Sequence, residues 1–174
     1  MMYVTRLASI VALLIGLAGC RGMAYRNPTE NMLPTITPND MCIMNPLAYS
    51  AGEIQRFDIV VIEMPDSAKH ESHAKGEVRV MTRIVGLPGE KIEMRQNALL
   101  IDGQPITEPF EKIDSPYPPY QNFGPINIPA DEYFVLGDNR GNSMDSRYYK
   151  PPTVKRKAIY SKVAEIKRNF YASN

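Results

Sequence analysis

The side chains of this 174-residue chain that are best suited to chemistry are concentrated in the segment GDNRGNSMDSR, residues 137–147. The four charged residues of the segment are Asp138, Arg140, Asp145 and Arg147. Opposite charges in a glycine-bounded loop predict a buried network of ion pairs and hydrogen bonds that holds strands in place, with or without catalysis. The segment also contains the hydroxyl of Ser143.

A pair of histidines suggests a second kind of chemistry. His70 and His73 lie in the polar segment PDSAKHESHAKGE, residues 65–77, and imidazoles this close in sequence can share a metal ion. The neighbouring sequence supplies no third ligand, and the segment has no apolar periodicity. A solvated hairpin loop or flexible insertion is the better interpretation, and we predict no metal or other cofactor.

The charged and histidine side chains must be positioned by the rest of the chain, which consists of short apolar runs separated by turn residues. The runs FDIVVIEM (57–64) and VRVMTRIVGL (78–87) are β-branched and alternating, which predicts strands. Turn signals in residues 90–106 predict one or two hairpins, whereas residues 108–132, rich in proline and tyrosine, predict irregular structure. Fifteen prolines against eleven glycines favour a turn-rich, mostly β domain. The formal net charge of +1 implies no special attraction to nucleic acid.

The first nineteen residues form a separate unit. Arg6 precedes the thirteen-residue apolar run LASIVALLIGLAG, which is shorter than the roughly 20 residues of a transmembrane helix and typical of an export signal. The run leads into LAGC, which resembles a bacterial lipobox, so we expect cleavage before Cys20 and a lipid on that cysteine. An uncleaved anchor is the alternative, and either one places the folded part on the extracytoplasmic side of a bacterial membrane. The predicted units are residues 1–19 (signal peptide or anchor), 20–30 (tether), 31–168 (folded domain) and 169–174 (tail).

The second cysteine has two interpretations. If Cys20 carries a lipid, Cys42 has no partner within the chain. Cys42 lies in the apolar run MCIM, where a buried small hydrophobic residue is the default. A Cys20–Cys42 disulfide is the competing interpretation, because an exported domain meets an oxidising compartment.

Three separated stretches resemble, in order and rough spacing, the sequence blocks of type I signal peptidases. They are NMLPTITPND (31–40), RIVGLPGEKI (83–92) and GDNRGNSMDSR (137–147), and RFDIVVI (56–62) resembles a fourth block. The resemblance implies a compact core of antiparallel strands and a membrane-associated endopeptidase that removes signal peptides with a serine–lysine dyad. In such a dyad a buried, neutral lysine activates the serine, and an oxyanion hole stabilises the intermediate.

Carried over residue by residue, the resemblance implies that both members of the dyad are replaced. Asn31 stands where the family has the serine nucleophile, and Thr82 stands where it has the lysine base. Thr29 falls at the position of the hydroxyl that lines the oxyanion hole, and Ser143 at that of the serine that orients the lysine. The charged groups that brace the site in the family correspond to Arg83, Asp138, Asp145 and Arg147.

These replacements remove the chemistry that the family performs. A carboxamide is not a competent nucleophile, and a threonine hydroxyl is not a general base near neutral pH. Loss of either member costs a serine protease about six orders of magnitude in rate, and loss of the second adds little. We expect Asn31 and Thr82 to hydrogen-bond each other in a stable, non-catalytic pocket. Lys69, Lys75 or Lys91 could approach from another strand, but Asn31 would still supply no nucleophile.

Three functions are compatible with the sequence. The first is a non-catalytic homologue that binds exported polypeptides, their signal peptides or an active signal peptidase, since adding a strand to a sheet edge needs only backbone groups. The second is a peptidase of unusual mechanism, with Thr29 or another hydroxyl as nucleophile. The third is a structural lipoprotein with an inert pocket.

Overall fold

The structure is a computed structural model that describes residues 23–50, 52–71, 76–96, 98–110 and 122–170. Of the sequence predictions, those for residues 1–19, Cys20, His73 and Lys75 lie outside the described residues. Within the described ranges, no helix has the length and apolar character needed to cross a membrane.

The described part of the chain consists mainly of strands. The strands are β1 (Met23–Arg26), β2 (Met41–Asn45), β3 (Ile59–Glu63), β4 (Arg79–Gly86), β5 (Lys91–Arg95), β6 (Ala98–Ile101), β7 (Gln104–Pro105), β8 (Asn122–Asn127), β9 (Glu132–Leu136), β10 (Val154–Lys155) and β11 (Ile159–Lys167). A short α-helix, α1, spans Asp66–Glu71, and a 3₁₀ helix spans Arg156–Ala158. The strand pairs are antiparallel, which confirms the prediction of a mostly β domain built from antiparallel strands.

Seven strands form the larger sheet, in the order β1-β2-β11-β3-β4-β9-β10. Its central strands β3 and β4 are the two that the alternating β-branched residues predicted. β4 contributes to three apolar clusters, and because successive side chains of a strand point to opposite faces, two of them lie on opposite faces of the sheet. Met81 packs in one with Met32 and Val61, and Ile84 packs in the other with Val60.

The larger sheet curls until its edge strand β1 approaches β4. The Tyr25 hydroxyl on β1 donates a hydrogen bond of 3.0 Å to the Arg79 carbonyl on β4, although three strands separate β1 from β4 in the sheet order. β9 pairs with β4 only between Arg83 and Gly86. Residues 79–82 therefore border the gap between β4 and β1, and the candidate site lies along this gap.

A second sheet of four strands, in the order β7-β6-β5-β8, supports the larger sheet from one side. Its apolar residues form one cluster with Val85 on β4 and Phe134 on β9. Gly86 marks the close contact, since a β-carbon there would lie 2.3 Å from the Ile128 side chain and 3.0 Å from Phe134. The second sheet thus stabilises the two strands that carry the site.

Cys42 on β2 lies fully buried in the apolar cluster that contains Met81. Burial, together with the negative charge of Asp40, raises the pKa of the Cys42 thiol to about 11, while Arg168 acts in the opposite direction. The thiol is therefore neutral near pH 7 and packs as a small hydrophobic group. Cys20, the partner of Cys42 in the alternative disulfide interpretation, lies outside the described residues.

Three segments differ from the sequence predictions. The expected tether, residues 20–30, contains β1, which pairs with β2. The segment 65–77, expected to be a loop, contains α1, and the segment 108–132, expected to be irregular, contains β8. These elements are only four to six residues long, and such short stretches show too little periodicity to be recognised.

Candidate functional site

The segment that follows β1 carries three polar side chains that hydrogen-bond one another. The Thr29 hydroxyl donates to Asn31 Oδ1 at 2.6 Å, and Asn27 Nδ2 donates to the same oxygen at 3.1 Å. The next residue, Met32, is fully buried and anchors the turn in the apolar core. The acceptor end of the Asn31 side chain is therefore occupied by two donors from its own segment.

The donor end of Asn31 reaches β4. Asn31 Nδ2 donates to the Met81 carbonyl at 2.7 Å, and the Asn31 main-chain carbonyl accepts from the Asn139 amide at 3.0 Å. Asn139 Nδ2 in turn donates to the Glu30 carbonyl at 3.1 Å. Asn31 therefore connects the first turn of the domain, β4 and the loop of residues 137–147.

Thr82 follows Met81 on β4 but shares no hydrogen bond with Asn31. Its side chain is 2% exposed and lies on the face where its cross-strand neighbour Val60 packs, opposite to Met81. The Thr82 hydroxyl has no hydrogen-bond partner among the described residues. The predicted Asn31–Thr82 hydrogen bond is therefore wrong, because Asn31 binds the main-chain carbonyl of the residue before Thr82.

Ser143 and Asn31 both lie against Gly137. A β-carbon on Gly137 would lie 2.3 Å from Ser143 Oγ and 2.6 Å from the Asn31 carbonyl oxygen, so only glycine leaves enough room. The antiparallel register of β4 and β9 brings Thr82 level with Gly137, one residue beyond their last pair. The buried Ser143 hydroxyl also has no hydrogen-bond partner in the part of the chain that the structure describes. Asn31, Thr82 and Ser143 thus meet at Gly137, and Thr29 is connected to them through its hydrogen bond to Asn31.

Arg83 and Asp138 form a buried ion pair beside these residues. Arg83 Nε and Nη2 donate to the two oxygens of Asp138 at 2.8 and 2.6 Å, and Nη1 donates to the Phe57 carbonyl at 2.8 Å. Asp138 accepts a further hydrogen bond from Thr35. The two side chains of the pair are 8% and 0% exposed. Since an unpaired charge would be costly there, the pair fixes the start of the loop against β4.

A second ion pair stabilises the loop itself. Arg147 Nε and Nη2 each donate to the Asp145 carboxylate at 2.8 Å. Asp145 also accepts from the Gly137 amide at 3.1 Å, and Arg147 Nη2 donates to the Arg140 carbonyl at 2.7 Å. This pair holds Gly137 at the point where Ser143 and Asn31 meet it.

Sequence reasoning missed several residues of the site. Glu108 pairs with Arg140, and its side chain is 1% exposed. The Phe110 ring lies over the Arg83 guanidinium, with 4.3 Å between the guanidinium carbon and the ring centroid. Nothing in the sequence marks Glu108 or Phe110, because both lie in the segment expected to be irregular. Asn27, four residues before Asn31, could have been found from its place in the same polar turn.

The described residues of the site provide no pairing of a nucleophile with a base. The Thr29 hydroxyl has carboxamides as its neighbours, and these are very weak bases. Lys69 forms ion pairs with two carboxylates near α1, and Lys91 is exposed on β5 in the other sheet. No group of His, Cys, Asp and Glu residues in the described ranges could hold a metal ion. The site offers hydrogen-bonding groups and a strand edge.

Comparisons with known proteins identify similar chains. The model of the family described as "Signal peptidase, peptidase S26" matches residues 1–167. The signal peptidase I of Leptolyngbya laminosa is 38% identical over 139 residues, covering 80% of this chain and 66% of that protein. A probable signal peptidase I-2 of Synechocystis is 32% identical over 82% of this chain and 62% of that protein, so the matched region spans 66% or less of these relatives. A crystal structure of a signal peptidase I from Enterococcus faecalis, 30% identical, gives a TM-score of 0.49 over 65% of this chain and 98% of that one.

Proposed function

Given that this chain belongs to the type I signal peptidase family, we propose that it is a non-catalytic member that binds exported polypeptides in an extended form. One observation carries the proposal. Asn31 stands at the position of the nucleophile, and its side-chain oxygen and nitrogen are both engaged by other groups of the protein. A member of the family with this arrangement keeps surfaces for binding but lacks the group that attacks the peptide bond.

The case against cleavage rests on the groups that surround Asn31. Cleavage requires an activated alcohol and a group that accepts its proton. The buried Thr82 cannot serve as a general base near neutral pH, and the Thr29 hydroxyl donates to the Asn31 carboxamide rather than to a base. By analogy with serine proteases, the missing dyad lowers the rate by about six orders of magnitude.

The edge of β4 at residues 79–82 supports the binding part of the proposal. β9 pairs with β4 only from Arg83 onwards, so β9 does not cover the edge of the preceding residues, where only the side chains of Tyr25 and Asn31 donate to the Arg79 and Met81 carbonyls among the described residues. An extended peptide can pair with such an edge through backbone hydrogen bonds alone. Because the family acts on exported proteins that carry signal peptides, we infer that an exported polypeptide is the partner.

The proposed location is the extracytoplasmic face of a bacterial membrane. The apolar residues 7–19 and the LAGC sequence support a lipid on Cys20, with an inserted N-terminus as the alternative. β1 begins at Met23, so either attachment places the folded domain at the membrane surface. In cells fed labelled palmitate, Cys20→Ser is expected to abolish labelling of the protein, and retained labelling would contradict lipid attachment at Cys20.

A binding and cleavage assay tests the proposed function. The full-length chain in detergent micelles is mixed with a fluorogenic peptide that contains an Ala-x-Ala cleavage site. We expect the peptide to bind, as measured by titration calorimetry, and to remain uncleaved. Cleavage that disappears in Thr29→Val but persists in the control Thr107→Val, an exposed threonine outside the site, would establish an unusual nucleophile instead. Absence of both binding and cleavage would favour an inert structural lipoprotein.

A further inference from the structure

The main-chain groups of β4 alternate between its two edges. The Val78 carbonyl accepts a hydrogen bond of 2.8 Å, and the Ile84 amide donates one of 2.9 Å, both with residues that flank β3. Because these groups alternate with a period of two along a strand, those of Arg79 and Met81 face the opposite edge. β9 pairs with that edge only from Arg83 onwards. The carbonyls of Arg79 and Met81 are therefore two successive acceptors on the stretch that an added peptide strand would use.

Two side-chain donors occupy these acceptors. The Tyr25 hydroxyl donates to the Arg79 carbonyl at 3.0 Å, and Asn31 Nδ2 donates to the Met81 carbonyl at 2.7 Å. A peptide paired with this edge would direct its own N–H groups at the same two oxygens. The hydroxyl and the carboxamide thus take the places of two amides of an incoming strand.

The surroundings of Asn31 orient its amide nitrogen towards β4, and those of Tyr25 keep its hydroxyl protonated. Asn31 Oδ1 accepts hydrogen bonds from Thr29 and Asn27, which directs Nδ2 towards β4. Burial raises the pKa of the Tyr25 phenol, against the opposing effect of the Arg79 charge, so the hydroxyl stays protonated at neutral pH.

We propose that Tyr25 and Asn31 close the β4 edge in the free protein, and that an extended polypeptide binds by displacing both donors from their carbonyls. This mechanism rests on the proposed binding function and adds a barrier to it. The position that holds the nucleophile in the family works here as a plug, because the amide nitrogen of Asn31 lies one bond further from the backbone than a serine hydroxyl would and reaches the Met81 carbonyl. Competition from two hydrogen bonds weakens peptide binding by about tenfold to a hundredfold.

A double variant tests whether the edge is closed. Asn31→Asp keeps the oxygen that Thr29 and Asn27 bind but replaces the donor by a second oxygen, and Tyr25→Phe removes only the hydroxyl. Tyr160→Phe is the matched control, since the Tyr160 hydroxyl lies 3.1 Å from the carboxylate of Glu63 rather than from a β4 carbonyl. Each full-length protein in detergent is titrated with a short fluorescein-labelled peptide ending in Ala-Gln-Ala, and binding is followed by fluorescence anisotropy.

We expect the double variant to bind the peptide about tenfold or more tightly than the wild type, and Tyr160→Phe to bind like the wild type. The same peptide methylated on its backbone nitrogens cannot donate to β4 and is expected to show no gain in affinity. Thermal unfolding verifies that each variant folds, and Asn31→Ala replaces Asn31→Asp if the latter does not.

The outcomes separate this mechanism from the proposed function. Equal affinity of the wild type and the double variant contradicts the closed edge and leaves the binding function standing. Binding by the double variant alone supports the closed edge and contradicts binding by the wild type. Binding by neither protein contradicts both.

Discussion

Two parts of the site differ in how completely their polar groups are paired. In the supporting frame, Arg83 and Asp138 share two hydrogen bonds, and neither side chain is more than 8% exposed. Beside this ion pair, the hydroxyls of Thr82 and Ser143 are buried without a hydrogen-bond partner among the described residues. The comparison teaches that the buried ion pair satisfies its own polar groups, whereas the hydroxyls of Thr82 and Ser143 beside it are left unsatisfied.

Breaking the frame has the largest expected effect. Asp138→Ala leaves the Arg83 guanidinium buried without its carboxylate, which should lower the free energy of unfolding by about 3–5 kcal/mol. Urea denaturation of the full-length chain in detergent measures the loss. The control Glu77→Ala removes an exposed ion pair with Arg79, whose side chains are 51% and 41% exposed, and should change stability by less than about 1 kcal/mol. Equal, small losses in the two variants would show that the buried pair does not stabilise the fold.

Removing the Thr82 hydroxyl is expected to stabilise the protein. Thr82→Val exchanges a buried, unpaired hydroxyl for a methyl group of similar size, which should raise the free energy of unfolding by about 1 kcal/mol. The matched variant Thr153→Val removes a buried hydroxyl that donates to Glu132, and it should lower stability by a similar amount. In urea titrations, the unfolding midpoint should rise for Thr82→Val and fall for Thr153→Val. A lower midpoint for Thr82→Val would contradict the prediction that its hydroxyl is unpaired.

The smallest effect is expected at Ser143. Ser143→Ala removes the other unpaired hydroxyl and should change the free energy of unfolding by less than about 0.5 kcal/mol. Ser146→Ala is the comparison, because Ser146 Oγ accepts a hydrogen bond of 3.0 Å from the buried Val135 amide. Its loss should cost about 1 kcal/mol or more. If Ser143→Ala proves as destabilising as Ser146→Ala in the same urea titrations, the Ser143 hydroxyl has a partner and the contrast is wrong.

The sequence predicted the strands that are richest in buried apolar side chains. β3 and β4 were found because their β-branched runs are typical of strands, and both bury consecutive side chains. β1 was missed because Tyr25 is its one partly buried side chain, and its place depends on backbone pairing with β2. The helix α1 was missed because Ala68 is the one apolar residue among its six, so the sequence shows no apolar stripe.

The sequence also singled out candidate residues for the site, but not the atoms that their side chains would bind. The resemblance singled out Asn31 and Thr82, and the structure places both beside Gly137. Their mutual hydrogen bond was wrong because the nearest acceptor for Asn31 is the main-chain carbonyl of Met81, and every residue has such a carbonyl. The sequence also did not predict that Glu108 is buried against Arg140, since this contact depends on the path of the chain after the second sheet.

The most direct test restores the dyad. Asn31→Ser/Thr82→Lys, the two single variants and the wild type are compared on the fluorogenic Ala-x-Ala peptide. We predict no cleavage by the wild type or by either single variant, and measurable cleavage by the double variant, because only this protein has both an alcohol and a buried amine in the frame. Wild-type cleavage at a rate that the double variant does not exceed would contradict the claim that this chain lost its chemistry at Asn31 and Thr82.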